Sequence, residues 1–307
     1  MSKQETIKIV EVGPRDGFQN ETGIISTTDK AKLILALVNS GITNIEITSF
    51  VSPKWIPQLA DGLELAQSLN LPNFVTTTAL VPNLKGYESA KLANLPEISL
   101  FMSATQSHSK KNINKSIEEA LIIIKELTQI AQADQKIIRC YISCAFFCPY
   151  EGYVDFANVI NLILKLVEMG IDEISIGDTI GYATPKNVKD LLRPLVAQIG
   201  TKKIAMHFHD TYGMALSNVY ASLEENIRIF DSSIGGMGGC PYAPGASGNL
   251  ASEDLVYLLH GLGFNTGINI DKLVEAGSFA QTIIKKKLPG KYLQASLAKC
   301  LNVQEIK

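Results

Sequence analysis

The sequence predicts an α/β protein built as a single (β/α)8 TIM barrel with a short C-terminal helical extension, and three observations support this. Short β-branched runs alternate with longer amphipathic ones eight times along 307 residues, no linker-like shift in composition interrupts them, and the unusual polar residues fall just after the apolar runs. The strand candidates are Ile7–Val12, Asn44–Thr48, Phe74–Leu80, Glu97–Met102, Ile137–Ser143, Glu173–Ile176, Ile204–Phe208 and Arg228–Ser232, each rich in Ile, Val, Thr or Phe. Between them, Ser26-Thr27-Thr28-Asp29 opens a helix over Ala31–Ser40 that stops at Gly41. Ser116-Ile117-Glu118-Glu119 offers a capped start to a long helix with an apolar stripe. Gly170, Gly200 and Gly261 are placed to end three others. Residues 1–270 form the barrel on this reading and residues 271–307 the extension. A doubly wound open sheet is the alternative, and it explains eight regular repeats less economically.

Composition narrows the function. With 46% hydrophobic and 19% charged residues the chain can bury a large core, and no tract looks disordered. A net charge of −2, with its conspicuous basic runs at Lys110–Lys111 and Lys285–Lys287, gives no broad footprint for nucleic acid, although a small anionic ligand stays open. No stretch is apolar enough to span a bilayer. The amino terminus enters a strand-like run within six residues, which leaves no room for an export segment and points to a cytoplasmic protein. Five cysteines, an odd number, fit reduced thiols. Cys140, Cys144 and Cys148 lack paired CxxC spacing and read as packing residues rather than a metal cluster.

Barrel enzymes place their chemistry at the carboxyl ends of the strands. Arg15 and Asp16 follow the first predicted strand, Asp178 the sixth, His207 and His209 end the seventh, and Cys240 and Asn249 lie in the loop after the eighth. In IAMHFHD the two histidines are separated by one residue, so on a strand both imidazoles face the same way. An ordinary hydrogen-bonded pair is one reading. The other is a metal site in which His207, His209, the carboxylate of Asp16 and the amide oxygen of Asn249 hold Mg2+ or Mn2+, zinc being less suited without a thiolate. Arg15 offers a rigid fork of donors for an oxyanion, or a surface salt bridge. Glu11 and Glu46 alternate with apolar neighbours, which places them in the barrel interior, each organising Arg15, Asp16 or a metal-bound water. Ser49 and Ser175 could orient substrate, or bond to nearby backbone. The segment Gly235–Asn249, GGMGGCPYAPGASGN, surrounds Cys240 with six glycines and two prolines and reads as a shaped lid that carries a thiol to substrate.

The segments VEVGPRDGFQNE, TSFVSPKWIPQLAD, VPNLKGYE, KKNINKSIEE, SCAFFCPYEG, GDTIGYATP, HFHDTYGMALSN and GGCPYAPGASGNLASEDLVYLL resemble the 3-hydroxy-3-methylglutaryl-CoA lyase family over about Ile9 to Ala276. Its most specific element is the GGCPYA loop with the GASGN that follows. Related barrel enzymes that condense acetyl-CoA with 2-oxo acids share the RDG turn and the His-x-His strand, but carry a different loop after the eighth strand. The resemblance implies cleavage of 3-hydroxy-3-methylglutaryl-CoA to acetoacetate and acetyl-CoA, a retro-Claisen reaction of the leucine-degradation type. It implies an acyl-CoA substrate and Asp16, His207, His209 and Asn249 as ligands of a divalent metal. Arg15 becomes the stabiliser of the thioester enolate, His207 the relay for the hydroxyl proton with Asp178 tuning it, and Cys240 the catalytic thiol. It leaves a homodimer open. Three departures stand out: Thr22 where many relatives carry lysine, Phe147 where they carry glycine, expected to narrow the mouth, and Phe208 where they often carry cysteine. Cys300 lies where some relatives have a terminal cysteine, and an unpaired reduced thiol is the expectation here. A Schiff-base aldolase or a carboxyltransferase needs a barrel lysine, which the strand interiors lack. A non-enzymatic barrel is disfavoured because Asp16, His207 and Cys240 are all present.

Overall fold

The computed structural model describes residues 4–239 and 248–305, the last six of these as backbone only. The chain opens with β1 (Lys8–Glu11), α1 (Thr27–Ser40), β2 (Asn44–Ser49), α2 (Gly62–Ser68), β3 (Thr76–Leu80), α3 (Leu84–Leu92) and β4 (Glu97–Ser103). It continues through α4 (Gln106–Ile113), α5 (Ile117–Ala133), β5 (Ile137–Ser143), β6 (Phe147–Cys148), β7 (Gly152–Tyr153), α6 (Phe156–Glu168), β8 (Glu173–Asp178) and α7 (Pro185–Ile199). Then follow β9 (Ile204–Phe208), α8 (Ala215–Glu224), β10 (Ile229–Ser232), α9 (Ser252–Gly261), α10 (Ile270–Ile284) and α11 (Lys291–Glu305).

Eight of these strands close a barrel in the order β1-β10-β9-β8-β5-β4-β3-β2. Every neighbouring pair is parallel, and the ring shuts where Lys8 to Glu11 pair with Ile229 to Ser232. Parallel strands covered on both faces are expected to be apolar throughout, and β9 is buried at all of its positions. The strand expected from Phe74 starts two residues later, because Val75 N–H closes a turn onto Pro72 O (2.9 Å) and Phe74 is left exposed. The small antiparallel hairpin of β6 and β7 stands outside the barrel, in the connection between β5 and α6. Its strands are too short to give a periodic signal.

The helix boundaries follow their side chains. Ser26 caps α1 by accepting from Asp29 N–H, and Ser116 and Glu119 form a reciprocal capping box on α5. Gly41 ends α1 at φ 105°, and a Cβ there would lie 2.3 Å from the Gly267 carbonyl oxygen, so the turn requires glycine. Gly261, expected as a stop, is instead the last residue of α9, and the left-handed turn falls on Gly263 at φ 85°. The extension packs α10 against α1 through Leu273, Ala276 and Ala280, and brings Leu288 and Leu293 against Gly235 at the foot of the segment after β10. No helix among the described residues is long and apolar enough to cross a membrane.

Candidate active site

At the carboxyl end of β1 the chain turns through one wide helical turn, Gly13–Gly17, which Pro14 starts and where Asp16 N–H donates to Val12 O (2.7 Å). The turn presents Arg15 and Asp16 to the barrel mouth. It lies so close to the segment after β10 that a Cβ on Gly17 would sit 2.7 Å from the Met237 methyl. The Arg15 guanidinium is buried, donating from Nε to Glu46 and from Nη1 to Asp16 Oδ1 (2.5 Å), and it lies 5.3 Å over the Tyr141 ring. Burial works against its charge, but Glu46, Asp16 and Tyr141 outweigh burial and hold the guanidinium above the ordinary arginine pKa. Burial likewise raises Asp16, and the nearby Arg15, His207 and His209 overcome it, leaving the carboxyl below the usual aspartate value.

The two histidines of β9 meet this turn. His207 Nε2 lies 3.3 Å from His209 Nε2, and the ligand atoms of Asp16, His207 and His209 all fall within 4.8 Å of one another. Burial first, and then His207, push His209 down to about 3, so its imidazole is neutral at physiological pH. Two imidazole nitrogens and a carboxylate oxygen converging in a buried pocket form a donor set that fits a divalent cation. Asn249 adjoins it by donating from Nδ2 to Asp16 Oδ2 (2.8 Å) and Met237 O (3.2 Å), while its buried Oδ1 has no hydrogen-bond partner among the described residues. Arg15, Asp16, His207 and His209 border a cavity of about 720 Å³ whose lining also includes Tyr141, Lys111, Trp55 and Gly239.

Other residues singled out from sequence fall differently. Glu46 does hold Arg15, and it also accepts from Tyr141 Oη at 3.2 Å. Glu11 contacts neither Arg15 nor Asp16; it accepts from Gly13 N–H and Ile234 N–H (both 2.8 Å) and from the Ser252 hydroxyl, bracing the backbone on either side of the mouth. Ser49 accepts from Val51 N–H (3.2 Å), and Ser175 donates to Asp231 Oδ2 (2.7 Å), so each hydroxyl has a partner within the protein, and neither residue is part of the cavity lining. Asp178, assigned to tuning His207, accepts from Tyr182 N–H (2.9 Å) and Ala183 N–H (3.0 Å) and holds the turn after β8, while burial raises its carboxyl to about 7. The carboxylate that meets His207 is Asp231, with Oδ2 3.1 Å from Nδ1. Asp231, with Arg139 and Tyr141, is the part of the site that reading the sequence missed. The signal was available, since all three alternate with apolar residues inside strands, as Glu11 and Glu46 do.

Phe147 does not narrow the mouth. Its ring packs on Tyr182 (4.4 Å) and Tyr153 (5.2 Å) in the hairpin and is not part of the cavity lining. Thr22 is exposed, and Phe208 is buried beside Phe146. Cys140, Cys144 and Cys148 are all buried, and the described residues contain no metal-ligand cluster besides Asp16, His207 and His209. Cys240 and the side chain of Cys300 lie outside the described residues.

A closed parallel barrel whose mouth gathers a buried guanidinium, a carboxylate and two imidazoles defines a barrel enzyme with a site able to hold a metal. The chain belongs to the HMGL-like family, whose model matches residues 6–280. It is 47% identical over 290 residues to the mitochondrial hydroxymethylglutaryl-CoA lyase of Homo sapiens, covering 94% of this chain and 89% of that one. The HMG-CoA lyase structure from Bacillus subtilis superposes with a TM-score of 0.93 at 46% identity, covering 96% of this chain and 99% of that one. An HMG-CoA lyase from Acinetobacter baumannii, solved with coenzyme A and 3-methylmalate, gives a TM-score of 0.90 at 35% identity, with 94% and 95% covered.

Proposed function

We propose that this chain is a carbon–carbon lyase that cleaves 3-hydroxy-3-methylglutaryl-CoA to acetoacetate and acetyl-CoA. The observation that carries the reading is the meeting of Arg15 with Asp16, His207 and His209 at one cavity, in a chain whose lyase relatives match along nearly its whole length. In the reaction the tertiary hydroxyl loses its proton and becomes the ketone of acetoacetate. The bond between its carbon and the methylene next to the thioester breaks, and the electron pair passes to the thioester as an enolate. Protonation of that methylene carbon completes acetyl-CoA.

Arg15 is placed to hold the enolate oxygen. Nε and Nη1 are occupied by Glu46 and Asp16, none of the hydrogen bonds among the described residues uses Nη2, and the residue lines the cavity. Glu46 and the Tyr141 ring fix the plane of that donor. Asp16, His207 and His209, with Asn249 beside them, would hold Mg2+ or Mn2+, which supplies Lewis acidity toward the substrate oxygens when bound. Cys240, covalently next to Gly239 of the cavity lining, is our candidate donor of the proton to carbon. The acyl-CoA substrate is supported by the coenzyme A complex of the A. baumannii relative. A reducing, cytoplasmic setting is supported by Cys140 and Cys148, which are buried thiols.

The test is acetoacetate release from 3-hydroxy-3-methylglutaryl-CoA, measured by coupled reduction in enzyme treated with chelator and then resupplied with Mg2+ or Mn2+. Activity should vanish with the chelator and return with the metal. Full turnover without metal would remove the metal site from the mechanism. Thiol release from acetyl-CoA and a 2-oxo acid, in place of cleavage, would make the chain a condensing enzyme instead.

A further inference from the structure

We propose that Asp231 is the positioning residue for His207, fixing the imidazole as the Nδ1–H tautomer so that Nε2 turns a bare lone pair toward Asp16 and His209. The inference rests on reading those three residues as the metal site. Asp231 reaches the barrel interior from β10 and is 1% exposed. Its Oδ1 accepts from Arg139 Nη2 (2.5 Å), and its Oδ2 accepts from Ser175 Oγ (2.7 Å) and Arg139 Nη1 (3.2 Å) and faces His207 Nδ1 (3.1 Å). An ionised carboxylate surrounded by a guanidinium and a hydroxyl can only accept, so the hydrogen of that contact belongs to the imidazole. In a neutral ring, Nε2 is then unprotonated. That nitrogen is the atom 3.3 Å from His209 Nε2.

The consequence reaches the chemistry. His207 has one nitrogen free to act, and a nitrogen that ligates a cation has no lone pair left to take a proton. The geometry therefore makes His207 a ligand and removes it from the proton relay assigned on sequence grounds. Arg139 serves as the fixed backing for Asp231. Its Nε is held by Glu173 (2.7 Å), and its guanidinium lies over the Tyr141 ring at 4.9 Å, so the carboxylate cannot swing away from the imidazole without breaking a bidentate pair.

Replacing Asp231 alone leaves Arg139 short of its charge partner, and that variant can fail to fold. The experiment therefore combines wild type with the neutral double variant Arg139→Gln, Asp231→Asn. An asparagine offers the ring both a donor and an acceptor, so it no longer dictates the tautomer. Long-range 1H–15N spectra of the metal-free wild type, whose four histidines keep the spectrum simple, should show His207 protonated on Nδ1. Titration with Mn2+ alone should show the folded double variant binding about 10 to 100-fold more weakly than wild type, the usual loss on removing a partner behind a ligand. A wild-type His207 protonated on Nε2 overturns the proposal whatever the variant does. So does a folded double variant with native Mn2+ affinity. Neither measurement uses the thioester. A wild type that binds no Mn2+ refutes the metal reading, and unchanged affinity in the variant refutes only the role of Asp231.

Discussion

Replacing Arg15 with lysine keeps a cation in the site and removes its geometry. The guanidinium divides its work by atom: Nε holds Glu46, Nη1 holds Asp16 Oδ1 at 2.5 Å, and Nη2 is left for the cavity. A lysine ammonium is a single point on a flexible stem, and the two buried carboxylates will capture it. Losing one preorganised donor to a developing oxyanion costs about 100 to 1,000-fold in kcat, or roughly 2.7–4 kcal/mol. The ground-state carbonyl gains much less from that donor, so KM should move by no more than a few-fold. The fold should survive. Glu46 keeps the Tyr141 hydroxyl at 3.2 Å, and the lost charged hydrogen bond costs about 1–3 kcal/mol of stability. Steady-state acetoacetate release at saturating Mn2+ gives kcat and KM, and urea unfolding checks stability. A variant whose KM rises while kcat stays native would assign Arg15 to uniform substrate binding and refute the enolate role.

Two further predictions address pH and the thiol. Glu253 is fully buried, and burial pushes its carboxyl from 4.5 up to about 8, with Glu11 raised to about 7 for the same reason. A carboxyl raised in the fold stabilises fully below its unfolded pKa and loses that contribution as pH climbs through its folded pKa. Metal-free enzyme should therefore weaken in urea as pH rises from about 4.5, where the unfolded carboxyls ionise, to about 8, and Glu253→Gln should remove about 2 kcal/mol of the loss between about pH 6.5 and 8; an unchanged loss rules this out. The aspartate and histidine shifts do not interfere, because Asp231, held below the ordinary aspartate value by Arg139 against burial, and His209, lowered to about 3, are common to both proteins and cancel in the comparison. Cys240→Ser should keep Mn2+ binding and lose about 100-fold or more in kcat, because a hydroxyl is a far weaker acid than a thiol, and near-native kcat in that variant would dismiss the thiol as proton donor. An alkylating agent should label Cys240 ahead of Cys140, whose buried thiol is raised to about 12, and peptide mapping decides the order.

Strand number, barrel closure and the His-x-His pair were legible because they depend on period and on residue type. Parallel strands covered on both faces must be apolar, so an ionisable side chain at an interior register stands out, and Glu11 and Glu46 were found in that way. What the carboxylates bind was not legible. Glu46 and Asp231 lie on β2 and β10, the strands on either side of β1, and their partners Arg15, Arg139 and His207 come from the turn after β1 and from β5 and β9, a juxtaposition across strands that no local pattern encodes. Asp178 shows the converse. Its place at the end of a strand suggested chemistry, but an aspartate there can equally accept backbone N–H groups of the turn that follows, and Tyr182 and Ala183 supply them. Ser49 and Ser175 miss the cavity for a related reason, because a short hydroxyl bonds to whatever lies within one turn or across one strand.

The segment that carries Cys240 is anchored by the same carboxylates that looked costly in the sequence. At its first foot Glu11 accepts from Ile234 N–H (2.8 Å) and Glu253 from Gly235 N–H (2.7 Å), while the Ser233 hydroxyl donates to Met237 O (2.6 Å). At its second foot Asn249 donates to Asp16 and to Met237 O, tying the returning chain to the Gly13–Gly17 turn. Between the feet the backbone closes to a neck: a Cβ on Gly248 would lie 2.5 Å from the Gly238 carbonyl oxygen, and both residues have φ values that favour glycine. Burying two glutamates is unfavourable unless backbone donors hold them, and here those donors belong to the strand end and the loop foot that must stay aligned. The two feet, up to Gly239 and from Gly248, are therefore fixed to the site. Gly239, where the first foot ends, lines the cavity beside Arg15 and Asp16, so the carboxylates that brace the feet also fix that edge of the cavity against the turn after β1.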